Sequence, residues 1–229
     1  CFALGHFALA FNHETRLQFG AALKEYETAA SLPGNSFDTL NEYSELLLNL
    51  ARFRESDAIW QKAVDLNPLD PGLPDGQVRR LFYESRFKEA GEAAATALRS
   101  SPGAQRSKLF LGYTQIALGR TQAAKELFKN FDQSDWHRLD GLTLAAARAG
   151  SRGEALQLLS QLQRQFPGGH YQYAQIYAQL GDLDAAFTEI AKAMKSYDAG
   201  VGAIKIDPFL QPLRADRRFA PLVVKLGLS

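Results

Sequence analysis

Apolar and small positions recur along this chain with a long period. Ala22, Ser56, Ala90, Ala124, Ala155 and Ala186 lie 34, 34, 34, 31 and 31 residues apart. In the later units a large apolar residue follows four positions on, at Phe128, Leu159 and Ile190, so small and large side chains share one helix face. The small residue lets a neighbouring helix approach closely, and the large one fills the space beside it. Gly119, Gly150 and Gly181 stand five positions before the small residue, where a turn can end one helix and return the chain. Pro68, Pro102 and Pro167 then stop the second helix, because proline disfavours helical geometry in the residue before it. The pattern predicts helical hairpins stacked side by side, since one hairpin cannot bury its apolar face alone.

Six helical pairs are predicted, at about 2–32, 37–68, 71–101, 105–133, 136–166 and 169–197. The first is the least regular: Asn12-His13-Glu14-Thr15 is expected to interrupt it and place its turn early. The 31-residue steps imply short connections around Gln133-Ser134-Asp135 and Pro167-Gly168-Gly169. Ala94, Phe131 and Asp198 depart from the pattern of the other units and predict looser or re-angled packing. Beyond residue 198 the period stops, and Ala199-Gly200-Val201-Gly202 reads as a flexible corner. The domain division is then a repeat region over 1–200 and a closing segment over 201–229. In that segment Asp207 can cap a short turn opened by Pro208, and Asp216 can cap a final helix. Phe209, Leu213, Phe219, Leu222, Val223 and Leu226 supply an apolar face, expected to form a lid on the last hairpin.

In the second unit Ala51, Phe53, Ser56, Trp60, Ala63 and Pro68 occupy the slots of a turn residue, an aromatic, a small residue, an aromatic, a small residue and a closing proline. This resembles the tetratricopeptide repeat family over nearly the whole chain. The resemblance implies an all-α fold, a right-handed superhelical solenoid of about six hairpins with a C-terminal capping helix. It also implies that set positions of each first helix line a concave groove. Those positions are Asn41, Glu45 and Asn49; Arg79, Phe82 and Tyr83; Arg106, Leu109, Tyr113 and Ile116; His137, Asp140, Leu144 and Arg148; and Tyr171, Gln175 and Gln179. Phe82, Leu109, Ile116 and Leu144 serve a core equally well. The partner-binding candidates are therefore Asn41, Glu45, Asn49, Arg79, Tyr83, Arg106, Tyr113, Arg148, Tyr171, Gln175 and Gln179, since arginine and tyrosine anchor interfaces and amides hold an extended backbone. Chaperone-binding members of the family clamp a terminal carboxylate with lysine and asparagine. Asn41, Glu45, Asp75 and Arg79 stand at the corresponding positions, so that clamp is not assembled.

The ending, Asp207-Pro208-Phe209 with Leu213-Arg214-Ala215-Asp216-Arg217-Arg218-Phe219, is similar to the close of repeat regions in bacterial winged-helix transcriptional regulators and class III adenylate or guanylate cyclases. The chain opens at Cys1 directly on an apolar helix and reads as a piece of a longer protein or a processed product. The resemblance thus implies the sensor or interaction region of a regulatory protein, with a protein or peptide partner in the groove. A homodimerisation module and a small-ligand groove are the alternatives.

Composition changes little in that picture. Hydrophobic residues are 46% and charged residues 22%, an ordinary globular balance. No segment reaches the roughly 18 apolar residues that would span a bilayer. A net charge of +1 gives no general attraction to nucleic acid or an anionic membrane. Residues 1–70 carry 5 Lys+Arg against 10 Asp+Glu, so the remainder is basic. A single cysteine excludes an intrachain disulfide and leaves cytoplasm and periplasm both open. His6 and His13, with Cys1 nearby, match no zinc spacing. His137 and His170 open helices, and Pro167-Gly168-Gly169 lacks the lysine of a phosphate loop. Neither an enzyme nor a cofactor or metal site is expected.

Overall fold

The structure, a computed structural model, describes residues 2–228, and no strand occurs among them. The chain divides into two compact units. One holds residues up to 73 together with 194–207 and the stretch from 214; the other holds 74–193 together with 208–213.

The first unit is built on α1 (Ala3–Thr15), α2 (Phe19–Ser31), α3 (Phe37–Asn49) and α4 (Phe53–Leu66). α1 runs unbroken through Asn12–Thr15, so the expected interruption does not occur. Those polar residues form an exposed last turn, in which Thr15 Oγ1 donates to Asn12 O. The return comes at Leu17, at φ 57°, with Leu17 N donating to Glu14 O and Gln18 N to His13 O. That pair of bonds closes the last carbonyls of the helix. Phe19, Tyr26, Tyr43 and Leu46–Leu48 form the core, with Tyr26 and Tyr43 stacked at 6.3 Å.

The same turn recurs. Ala51 and Ser85 at φ 60° and 62°, then Gly119, Gly150 and Gly181 at 76–78°, all adopt the left-handed region, at the 34- and 31-residue steps of the sequence. The six small residues from Ala22 to Ala186 are wholly buried. At one of them Ser56 Oγ donates to Ser44 O across the hairpin, so a hydroxyl is tolerated because it is satisfied.

The second unit comprises α5 (Leu73–Tyr83), α6 (Phe87–Ser100), α7 (Gln105–Ala117), α8 (Thr121–Lys129), α9 (Trp136–Arg148), α10 (Arg152–Gln165), α11 (His170–Gln179) and α12 (Leu183–Lys195). The 31-residue steps arise from shortened helices, not shortened connections. α8 has 9 residues where α4 and α6 have 14, and α11 has 10 where α9 has 13. Because α8 stops early, Phe131 lies beyond it and folds back onto Phe128 at 5.4 Å. Phe131 is buried, so the packing expected to loosen there is filled by this ring.

The closing segment is neither a flexible corner nor placed where expected. Ala199–Ala203 is a 3-10 helix capped by Asp198, whose side chain accepts from Gly200 N, and it packs on α3. Gly202 fits there because a Cβ would meet Asn49 Nδ2 and Phe19 Cζ at 3.3 Å. Lys205 Nζ donates to Leu50 O at 2.9 Å and Leu228 O at 2.6 Å. Gly227, which follows α13 (Phe219–Lys225), comes close enough to α2 that a Cβ would stand 3.0 Å from Gly20 N. The flanks of the segment thus lie on the first two hairpins, drawn there by a lysine that satisfies the carbonyl ending α3. Asp216 accepts from Arg218 N one residue before α13. Only 208–213 joins the second unit.

Candidate functional site

The first helices of the second unit, α5, α7, α9 and α11, carry an aromatic bed. Phe82 of α5 lies at its centre, 5.4 Å from Phe110 and 6.2 Å from Tyr113 of α7. Tyr113 turns its hydroxyl to the buried Asp140 of α9 at 2.6 Å. The polar end of the ring is satisfied while its face remains apolar.

That bed is occupied by the chain itself. Phe209 packs 5.8 Å from Phe82 and 5.6 Å from Tyr113 and is 3% exposed. Gln179 Nε2 of α11 donates to the Phe209 carbonyl at 2.7 Å, and Gln179 Oε1 accepts from Arg148 at 3.3 Å. An aromatic anchor and a backbone carbonyl held by a side-chain amide are the elements of peptide recognition. Here they act on an internal segment.

Of the sequence candidates, Tyr113, Arg148 and Gln179 are therefore brought together, around Phe209. Arg79 lies 5.0 Å over the ring of Tyr83 on its own helix, a cation–π contact. Arg106 is exposed, while Tyr171 and Gln175 are buried. In the first unit Asn41 donates to Glu42, Glu45 is half-buried, and Asn49 is buried against Gly202. Phe209 was legible only as part of an apolar face. The signal for its placement was Pro208 and Pro212, which keep the segment from continuing as an ordinary helix.

The histidines have ordinary partners: His6 with Glu25, His13 with Gln18, His137 with Asp135 and His170 with Glu189. Among the described residues no three His, Cys, Asp or Glu gather to hold a metal, and Cys1 lies outside them. No described helix is long and apolar enough to cross a membrane. Pro167-Gly168-Gly169 forms one wall of a pocket of about 380 Å³ with Trp136, Phe166 and Tyr173. Tyr173 in its lining donates its hydroxyl to Phe166 O, and burial pushes that phenol up from its usual range.

The Tetratricopeptide repeat family model matches residues 168–199, which span α11 and α12. A comparison with curated proteins gives no match. Among solved structures, a tetratricopeptide repeat protein from Parabacteroides merdae is similar at a TM-score of 0.54 and 12% identity, over 99% of each chain. PilF of Pseudomonas aeruginosa is similar at a TM-score of 0.55 and 14% identity, over 89% of this chain and 95% of its own. Identity this low speaks to fold alone: the chain has the all-helical fold of tetratricopeptide repeat proteins.

Proposed function

We propose that the chain is a non-enzymatic protein-binding scaffold, the interaction region of a larger bacterial regulatory protein, which receives a partner segment on its first-helix faces. The observation that carries this reading is the bed of Phe82 and Tyr113 with the amide of Gln179, already arranged to hold a short 3-10 helix, Pro208–Ala215, that belongs to none of the hairpins. Exposed Arg106 and Arg148 belong to the same set of first helices and supply charged anchors. The likeness of the Asp207–Phe219 ending to those of regulators and cyclases supports the larger context. The test is affinity for a crosslinked and identified partner. Arg79→Ala, Arg106→Ala and Arg148→Ala should leave the melt intact, and at least one should weaken binding by about 2 kcal/mol as a hot spot. Lys125→Ala and Gln157→Ala on second helices should change it little. If the second-helix variants abolish binding while the arginine variants bind normally, the site lies elsewhere.

Self-association is favoured by a separate observation. Phe2, just before α1, and Leu4, Leu9 and Phe11 along it are between 51% and 86% exposed, and a helix apolar on several sides is ordinarily buried. Light scattering over a concentration series should show dimers that Leu9→Glu abolishes if this reading holds.

A further inference from the structure

We propose that residues 208–213, in the 3-10 helix Pro208–Ala215, are a displaceable plug, and that the bed they cover is the partner site, fitted to an acidic peptide in which proline precedes an aromatic and an aliphatic residue and opens a 3-10 turn. This rests on the scaffold reading and specifies its site and ligand chemistry.

The plug is built as a bound peptide is built. Phe209 enters between Phe82 and Tyr113, and Leu210 and Leu213 are wholly buried beside it. Its main chain is held through Gln179 Nε2 to Phe209 O. A main-chain contact of that kind is indifferent to the identity of the side chain and serves any segment that brings a carbonyl to the same place. Pro208 carries no N–H and opens the 3-10 helix, where that donor would have no partner within the helix.

The plug also belongs to no hairpin. Residues 208–213 belong with the second unit, and the residues before 208 and after 213 with the first. Lys205 and Arg214 hold the flanks within the first unit, through Leu50 O and Asp207 O. Phe209 is part of the second unit's apolar core, so withdrawal of the plug opens that core locally, and local opening costs less than global unfolding. A partner gains only by presenting the same chemistry. An aromatic must replace Phe209, a carbonyl must reach Gln179, and the exposed Arg106 and Arg148 favour acidic flanks. The chain's own Asp207-Pro208-Phe209-Leu210 meets that description.

The experiment uses the full chain and a fluorescein-labelled peptide Asp-Pro-Phe-Leu-Gln-Pro-Leu, read by anisotropy. Phe209→Ala empties the aromatic site and should bind the peptide at least about tenfold more tightly than the unaltered chain, because the internal competitor is weakened. Adding Gln179→Ala should reverse about fivefold or more of that gain. Equal binding to the unaltered chain and Phe209→Ala, or none to either, overturns the proposal. Hydrogen exchange on the unaltered chain needs no variant to fold. Amides of 209–211 and 213 should exchange at least about tenfold faster than those of α7, and exchange as slow as α7 makes the segment fixed core and also overturns it. If Phe209→Ala instead forms dimers that exchange their closing segments, a second copy is the occupant and the partner claim falls. The scaffold reading fails separately, on the arginine variants and the identified partner.

Discussion

Phe128 occupies the volume that a side chain at Gly141 would need. A Cβ built on Gly141 would stand 2.3 Å from the Phe128 ring, and one on Gly112 would stand 2.5 Å from it. The ring of α8 is thus seated between the backbones of α7 and α9, wholly buried. The two glycines serve a packing purpose in mid-helix, where glycine otherwise lowers stability.

Gly141→Ala should therefore destabilise the protein by about 1–3 kcal/mol, as overpacking of a filled core does, despite the better helix propensity of alanine. Urea denaturation is the measurement. Phe128→Leu in the Gly141→Ala background should recover part of the loss, and a double-mutant cycle should give a coupling of about 0.5–3 kcal/mol. Additive effects would place the strain elsewhere.

The six hairpin turns differ in one respect. Gly119, Gly150 and Gly181 meet nothing within 4 Å of a built Cβ, so alanine there meets only the conformational cost of the left-handed region, about 1–2 kcal/mol. Ala51 already bears that cost at φ 60°. Ala51→Gly should then raise stability by up to about 1 kcal/mol, and Gly150→Ala should lower it by a similar amount. Leu17→Gly should not stabilise, because the Leu17 side chain is buried. Thermal melts of the three variants check the order.

Those turns show what the sequence makes legible. The glycines at 119, 150 and 181 mark their turns in the sequence, and the same left-handed turn recurs at the period in Ala51 and Ser85. The all-helical fold follows from that spacing. The path of the closing segment does not, since the bond from Lys205 to Leu50 O joins residues 155 apart and no local pattern records it. Groove positions were assignable from register, which brings Tyr113 and Gln179 to Phe209. That the segment beside them in space would be the chain's own depends on the same long-range return. The misplaced turn of the first hairpin has a simpler cause: Asn12–Thr15 is polar, but polar residues suit an exposed last helical turn as well as a loop.

Asp216 sets an acid dependence. The Arg218 side chain beside it, then the Arg218 backbone N–H, hold its carboxyl at about 2, below the ordinary value of 3.8. A carboxyl depressed in the folded state adds stability above its unfolded value, and that contribution is lost as pH falls through the folded one. The loss should therefore fall between about pH 4 and 2. Asp216→Asn should show a shallower decline in melting temperature across that window than the unaltered chain. Parallel declines would mean that other carboxylates set the acid limb.

Lys205 joins three parts of the first unit that are remote in sequence: its own segment, the end of α3 at Leu50 and the stretch after α13 at Leu228. Burial pulls its ammonium below the usual lysine range, yet two carbonyls accept from it, and bonds to a charged group contribute more than neutral ones. Lys205→Met keeps much of the apolar stem and removes both donations. Two carbonyls are then left short of a partner, at a cost of about 2 kcal/mol on the scale of charged hydrogen bonds. The loss should be local as well as global. Amide exchange should accelerate in Ala199–Ala203 and in α13, while α9 and α10, which belong to the second unit, should keep their protection relative to global opening. If Lys205→Met melts with the unaltered chain and exchange in α13 is unchanged, the carbonyls are satisfied otherwise and the return of the chain onto α3 rests on the packing of Ala199–Ala203 alone.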